Sequence, residues 1–238
     1  MSETVLVAPE LAMDLSAHAA PSAFPPRAPM TYEAYLALSS EPGGLAEWVD
    51  GEVVYHMPPL TAHQKLVTYL TTLLNLFAVF FRLGQVIPAA FEMRCRPGGP
   101  SRQPDVLFVA SHNLGRLSES RLDGPADLAI EIVSDDSVAR DYDEKYTEYQ
   151  ECGVPEYWIV DPRPRRQRAL FYQLSPSGSY QPVPPDAGVY RSRALPGFWL
   201  QVDWLWSQPD PLLAFGEISR LPDAVMQALR ALKPGGAD

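Results

Sequence analysis

Leu128-Ala-Ile-Glu-Ile-Val133 is an apolar, β-branched run with a carboxylate near its centre, and Pro104-Asp-Val-Leu-Phe-Val109 is a second such run with an acid at its start. Both read as short buried strands. Side chains alternate across a strand, so Ala129, Glu131 and Val133 share one face, Leu128, Ile130 and Ile132 the other, and Asp105 lies with Leu107 and Val109. An ionised carboxylate in such a place is costly unless something positive is bound to it. If the two strands pair, Asp105 and Glu131 can share one divalent cation. Mg²⁺, or Mn²⁺ in its place, takes one or two carboxylates together with waters and phosphate oxygens. The bland alternative is that each acid bonds a turn or pairs with an arginine at a strand end.

Downstream, Ser134-Asp135-Asp136-Ser137 leads into a helix in which Asp141 and Glu144 stand at capping-box spacing and Cys152-Gly153-Val-Pro155 is the stop. Lys145 and Tyr149 share one face of it, and a lysine there could stabilise a pentacoordinate transition state. A solvent-exposed Asp141–Lys145 salt bridge explains the pair equally well. The pattern of acids and ammonium suggests metal-dependent phosphodiester hydrolysis.

Working outward, residues 61–82 carry Leu66, Leu70, Leu73, Leu74, Phe77, Phe80 and Phe81 at helical spacing, a long amphipathic helix with His63 in its first turn. Asp50-Gly51 between extended runs signals a hairpin, and Glu52 leaves that turn on the second strand. Thr31 caps a short helix that Pro42-Gly43-Gly44 breaks. Residues 85–96 read as one strand, 111–125 as a polar connection, and 156–161 as another buried strand. Short antiparallel strands follow at 169–174, 179–183, 188–192 and 198–202, and residues 212–232 have helical spacing. The expected organisation is a flexible Pro/Ala-rich leader over 1–29, one domain over 30–208, and a C-terminal helix with a polar tail over 209–238. A mixed central β-sheet flanked by α-helices, an α/β fold, is the consistent architecture.

At 238 residues and 46% hydrophobic content the chain can bury a sizeable core, and no apolar stretch approaches the roughly 20 residues of a bilayer span. The start lacks a secretory signal, so a cytoplasmic location without membrane contact is expected. Cys95 and Cys152 lack metal-site spacing and read as reduced thiols. A net charge of −10 excludes general electrostatic attraction to nucleic acid, so any such contact is local. Arg163, Arg165, Arg166 and Arg168 form the densest basic group, with Arg94, Arg96 and Arg102 as a second. A homodimer would widen the binding surface.

The ordered set Glu47-Trp-Val-Asp-Gly-Glu52, Pro58-Pro59 with His63, Pro104-Asp105, Ala129-Ile-Glu-Ile-Val-Ser134, Tyr142 with Lys145 and Tyr149, and Gly153-Val-Pro-Glu-Tyr-Trp-Ile-Val-Asp161 resembles the Uma-two family. Those proteins are described as restriction-endonuclease-like members of the PD-(D/E)XK nuclease superfamily. The resemblance implies a restriction-endonuclease-like core and a Mg²⁺-dependent endonuclease acting on DNA. It makes Asp105 and Glu131 metal-binding acids with the Ile132 carbonyl as a further ligand, Lys145 the catalytic lysine with Tyr149 beside it, Glu52 an additional acid, and His63 the family's histidine. The superfamily's usual lysine, two residues after the second acid, is here Val133, and Lys145 takes its place from the following helix. The competing reading is a catalytically silent nucleic-acid-binding or protein-interaction module on the same fold.

Overall fold

The computed structural model describes residues 27–39, 46–56 and 60–232. The leader before residue 27, the Pro42-Gly43-Gly44 stop, Pro58-Pro59 and the tail after residue 232 lie outside the described residues. The chain runs through β1 (Arg27–Pro29), α1 (Tyr32–Ser39), β2 (Ala46–Val49), β3 (Glu52–Tyr55), α2 (Thr61–Phe80), β4 (Gly84–Pro88), β5 (Glu92–Arg94), β6 (Ser101–Arg102) and β7 (Val106–Ala110). It continues with β8 (Arg121–Asp123), β9 (Leu128–Ile132), α3 (Lys145–Cys152), β10 (Glu156–Asp161), β11 (Arg168–Leu174), β12 (Tyr180–Pro182), β13 (Val189–Arg191) and β14 (Trp199–Gln201). The short helices α4 (Trp204–Ser207), α5 (Pro211–Ile218) and α6 (Asp223–Ala231) follow.

Two mixed sheets result. The central one has the order β12-β11-β10-β9-β7-β4, with β9 and β10 parallel and every other pair antiparallel. The second has the order β1-β3-β2-β6-β5-β8, and β13 pairs with β14 as a separate ribbon. The alternation read from the sequence decides the layering. Val106, Phe108, Ile130 and Trp158 face α2 and pack with Leu66, Leu70, Leu73 and Phe77, whereas Leu107, Val109, Ala129 and Ile159 face α3 and pack with Tyr149, Met93 and Leu122. Burying each large apolar side chain stabilises the fold by about 1.5–3 kcal/mol, so both faces of the sheet hold its neighbours firmly. The β2–β3 hairpin turns through Asp50 at φ 50° and Gly51 at φ 86°, the paired positive angles that a two-residue type I′ turn needs. Gly84 allows the closest approach: a Cβ there would stand 2.0 Å from the Val109 carbonyl oxygen.

Several expectations are corrected. The segment 85–96 is two strands, β4 on the edge of the central sheet and β5 inside the second, because the chain crosses between sheets at Ala89 and Ala90. The polar connection after β7 is a 3₁₀ helix (Ser111–Arg116) followed by β8, which pairs parallel to β5. Pro222 divides the C-terminal helical stretch into α5 and α6. Asp141 and Glu144 form no capping box: the chain is already helical there, in a π-type turn (Arg140–Glu144), and Asp141 is buried with its carboxylate accepting the Ser137 hydroxyl. Cys95 and Cys152 are joined as a disulfide with Cα atoms 5.5 Å apart, because the chain beyond β5 and the end of α3 meet on one face. Thr31 does cap α1, its hydroxyl accepting from the Ala34 N–H, and Gly153 ends α3 in the left-handed region. Among the described residues no helix is long and apolar enough to cross a membrane.

Candidate active site

Antiparallel pairing sets Val106 opposite Ile130 and Leu107 opposite Ala129. One further step along both strands puts Asp105 opposite Glu131, on the face that α3 covers. The Ile132 N–H donates to Asp105 Oδ2 at 2.7 Å, and His63 Nε2, from the first turn of α2, stands 3.2 Å from the same oxygen. Glu131 Oε1 accepts from the Tyr149 hydroxyl at 2.7 Å and lies 2.9 Å from Lys145 Nζ. Asp105, Glu131, Ile132, His63, Asp141 and Lys145 line one cleft of about 310 Å³ between the start of α2, the strand ends and the start of the α3 segment.

Lys145 is almost wholly buried and central to the charges. Its Nζ is 3.0 Å from Glu47 Oε1 and 3.9 Å from Asp141 Oδ1, besides Glu131. Glu47 also takes the Arg102 guanidinium at 2.9 Å and the Gln103 N–H at 2.9 Å. Burial alone would raise the Glu47 carboxyl, but Lys145 and Arg102 outweigh it and hold the group well below its usual value. Glu131 goes the other way. Burial pushes it up to about 8, Lys145 opposing the shift while Asp141, Asp105 and Glu47 add to it. Asp141 is raised to about 6, chiefly by burial, and Lys145 stays charged because the acids overcome its own desolvation. For His63, burial lowers the imidazole, but Asp105 and Asp141 prevail and raise it.

The sign of the pH dependence follows. Glu131, Asp141 and His63 each bind protons more tightly folded than unfolded, so stability from these groups falls as pH rises, between the usual carboxylate range and about 8. The depressed Glu47 acts oppositely, but only toward acid, near and below its ordinary value of 4.5. The metal-free protein is therefore expected to melt at progressively lower temperature from pH 6 to pH 8, and Glu131→Gln to flatten that slope. A melting temperature that climbs over this interval would contradict the arrangement.

The residues named from sequence do not all converge. Asp105, Glu131, Ile132, His63 and Lys145 line the cleft, and Tyr149 reaches it through its bond to Glu131. Glu52 does not line it; its carboxylate lies half-exposed, 3.9 Å from Arg27 on the neighbouring strand. The acid supplied by the hairpin is Glu47, which sequence reading passed over although it shows the same signal as Glu131, a carboxylate within an apolar strand. The Asp141–Lys145 pair is buried, not solvent-exposed. Arg102 is spent on Glu47 and Glu148 at 2% exposure, so it offers no surface charge.

Among the described residues no three His, Cys, Asp or Glu side chains gather as a metal cluster. The donor set nevertheless suits a hard dication that needs two carboxylates and otherwise water or phosphate oxygens. Asp105 and Glu131 each commit one oxygen to the contacts above; three acids, Glu47, Glu131 and Asp141, lie within 3.9 Å of Lys145, and Asp105 is near enough to help raise the Glu131 carboxyl. Excess buried negative charge is the condition a cation relieves.

Comparison with known proteins bears on the fold and the family. No curated protein matches the sequence. Among solved structures, a "putative nuclease belonging to DUF820" from Anabaena variabilis ATCC 29413 aligns at TM-score 0.61 with 20% identity, covering 75% of this chain and 98% of that one. That likeness shows the fold, a restriction-endonuclease-like α/β core with mixed sheets between helices. The model of the Uma2 family, described as "Putative restriction endonuclease", matches residues 32–203, and the chain belongs to that family.

Proposed function

We propose that the protein is a divalent-metal-dependent endonuclease that hydrolyses phosphodiester bonds in DNA, with Mg²⁺ as the resident ion and Mn²⁺ able to replace it. The observation that carries the reading is the placement of Asp105 opposite Glu131 at the strand ends, with Lys145 Nζ 2.9 Å from Glu131 inside one cleft. The family description supports it. Asp105 and Glu131, with the Ile132 carbonyl, would hold the ion, which supplies Lewis acidity toward the phosphate and a more acidic water. The chain's own groups do the rest. Tyr149 and Lys145 fix the Glu131 carboxylate, His63 and the Ile132 N–H fix Asp105, and Lys145 keeps a preorganised positive charge where the phosphorane accumulates negative charge.

The test is cleavage of duplex, single-stranded and branched DNA and of RNA with Mg²⁺ or Mn²⁺, run beside Glu131→Ala. Metal-dependent cleavage of DNA that Glu131→Ala abolishes is the expected result. Metal binding without cleavage of any substrate would favour a silent binding module instead.

The route of an acidic protein to its substrate is also testable. Arg163 is held by Asp161 at 2.9 Å and lies 3.7 Å from Asp135, a residue of the cleft wall, so the β10–β11 turn borders the site. Arg168 stacks over Tyr142, while Arg165 and Arg166 are exposed on that turn. Replacing Arg165 and Arg166 together by Gln is expected to weaken DNA binding and to reduce the slope of log affinity against log salt by about 1–2. An unchanged slope would make this turn a solvated surface only.

A further inference from the structure

Arg140 lines the same cleft as Asp105, Glu131 and Lys145, yet it takes part in none of their bonds. It is 6% exposed, its Nε and Nη1 have no hydrogen-bond partner, and no ion pair reaches it among the described residues. Asp141, its neighbour in the chain, feels its charge without bonding it: that carboxylate takes the Ser137 hydroxyl and stands 3.9 Å from Lys145, and Glu131 and Glu47 bond Lys145. The other guanidiniums close by are used up, Arg102 on Glu47 and Glu148 and Arg163 on Asp161. Folded proteins pair almost all buried polar groups, and an unpaired buried guanidinium is among the costlier exceptions. Such a group persists where a ligand completes it. Guanidinium donors match the oxygens of a phosphate, and they are always charged.

We propose that Arg140 is the phosphate-binding residue of this cleft, its free N–H groups receiving non-bridging oxygens of the phosphodiester that lies against Asp105 and Glu131. The inference rests on the nuclease reading and adds what that reading lacks. The five acids that line the cleft, Asp105, Glu131, Asp135, Asp136 and Asp141, repel a phosphodiester, and the Lys145 ammonium is already bonded to Glu131 and Glu47. Arg140 gives the substrate a fixed cationic contact of its own. It is a catalytic residue in the sense of touching substrate, distinct from the acids that hold the ion.

The experiment has two arms on the full chain. In the first, the metal-free protein is melted with and without millimolar inorganic phosphate. Wild type is expected to melt higher with phosphate. Arg140→Met is expected to melt at or above wild type without ligand, since an unpaired buried charge is gone, and to lose the phosphate-induced rise. In the second, DNA cleavage is measured with Mg²⁺. Arg140→Met should raise KM roughly 10- to 100-fold with a smaller change in kcat, and should reduce the salt slope of binding by about 0.9, one phosphate contact. Arg140→Lys, which keeps the charge but not the fork, should recover part of the KM and serves as the test if Arg140→Met does not fold. No phosphate-induced rise in wild type, or an equal rise in Arg140→Met, overturns the assignment. Wild-type cleavage with KM unchanged in the variant overturns Arg140 alone, leaving the nuclease reading intact. If wild type cleaves nothing, the nuclease reading fails and the melting arm decides whether Arg140 is an anion site.

Discussion

Lys145→Met should cut DNA at roughly one-hundredth to one-thousandth of the wild-type rate, the usual cost of removing one preorganised transition-state donor. The side chain is 3% exposed and touches Glu131 and Glu47 at 2.9 and 3.0 Å, so its position is imposed from two strands at once. Methionine fills the same volume without charge, so the fold is expected to survive with a lower melting temperature and with Glu131 and Glu47 taking up protons. A surface ion pair would behave otherwise, costing only about 0.3–0.5 kcal/mol and leaving turnover untouched. Initial rates and melting curves of the same preparation separate the two, and near-wild-type cleavage would remove Lys145 from the chemistry.

Arg102→Ala is expected to give the largest loss of stability, about 3–5 kcal/mol, the range for breaking a buried ion pair from one side. The guanidinium is 2% exposed and binds Glu47 Oε2 at 2.9 Å while Nε and Nη2 hold Glu148 at 2.7 and 2.6 Å. It thus ties β2 of the second sheet to α3, the helix that begins with Lys145. For a domain of this size each kcal/mol moves the midpoint by about 2–4 °C, so a fall on the order of 10 °C should be seen. Coupling is checked with Glu47→Gln: the double variant should lose less than the sum of the singles, because the carboxylate left exposed to burial in one is absent in the other. Strict additivity would mean that the pair is not a unit.

Much of this was legible beforehand because it depends on local pattern. The alternation around Glu131, the Asp50-Gly51 turn, the spacing of α2 and the Gly153 stop each follow from backbone geometry within a few residues. The pairing of Asp105 with Glu131 could be stated only as a condition, since nothing local says which strands are neighbours. The missed features are tertiary. Glu47 stands within a short apolar strand, and only the approach of the second sheet to α3 gives it Lys145 and Arg102 as partners. Asp141 had the spacing of a cap, but the helix begins earlier and buries it. Cys95 and Cys152 are 57 residues apart, and their meeting depends on how the two sheets pack. Arg140 carries no sequence signal at all; its isolation is visible only when every neighbouring acid has been assigned to another donor.

The antiparallel register of β7 against β9 makes the site unusually sensitive to length. A strand has a two-residue repeat, so one residue inserted between Asp105 and Val106 would leave Val106 to Ala110 paired as before and carry the carboxylate to the opposite side of the sheet. There it would meet the packed leucines of α2 instead of His63 in that helix's first turn and the Ile132 N–H. The pairing of β7 would be kept, but a carboxylate set against that apolar layer carries a burial cost, and the acid pair would cease to exist. Apolar exchanges of matching volume along buried β7 therefore leave the acid pair in place, whereas a one-residue insertion at that junction removes it in a single step.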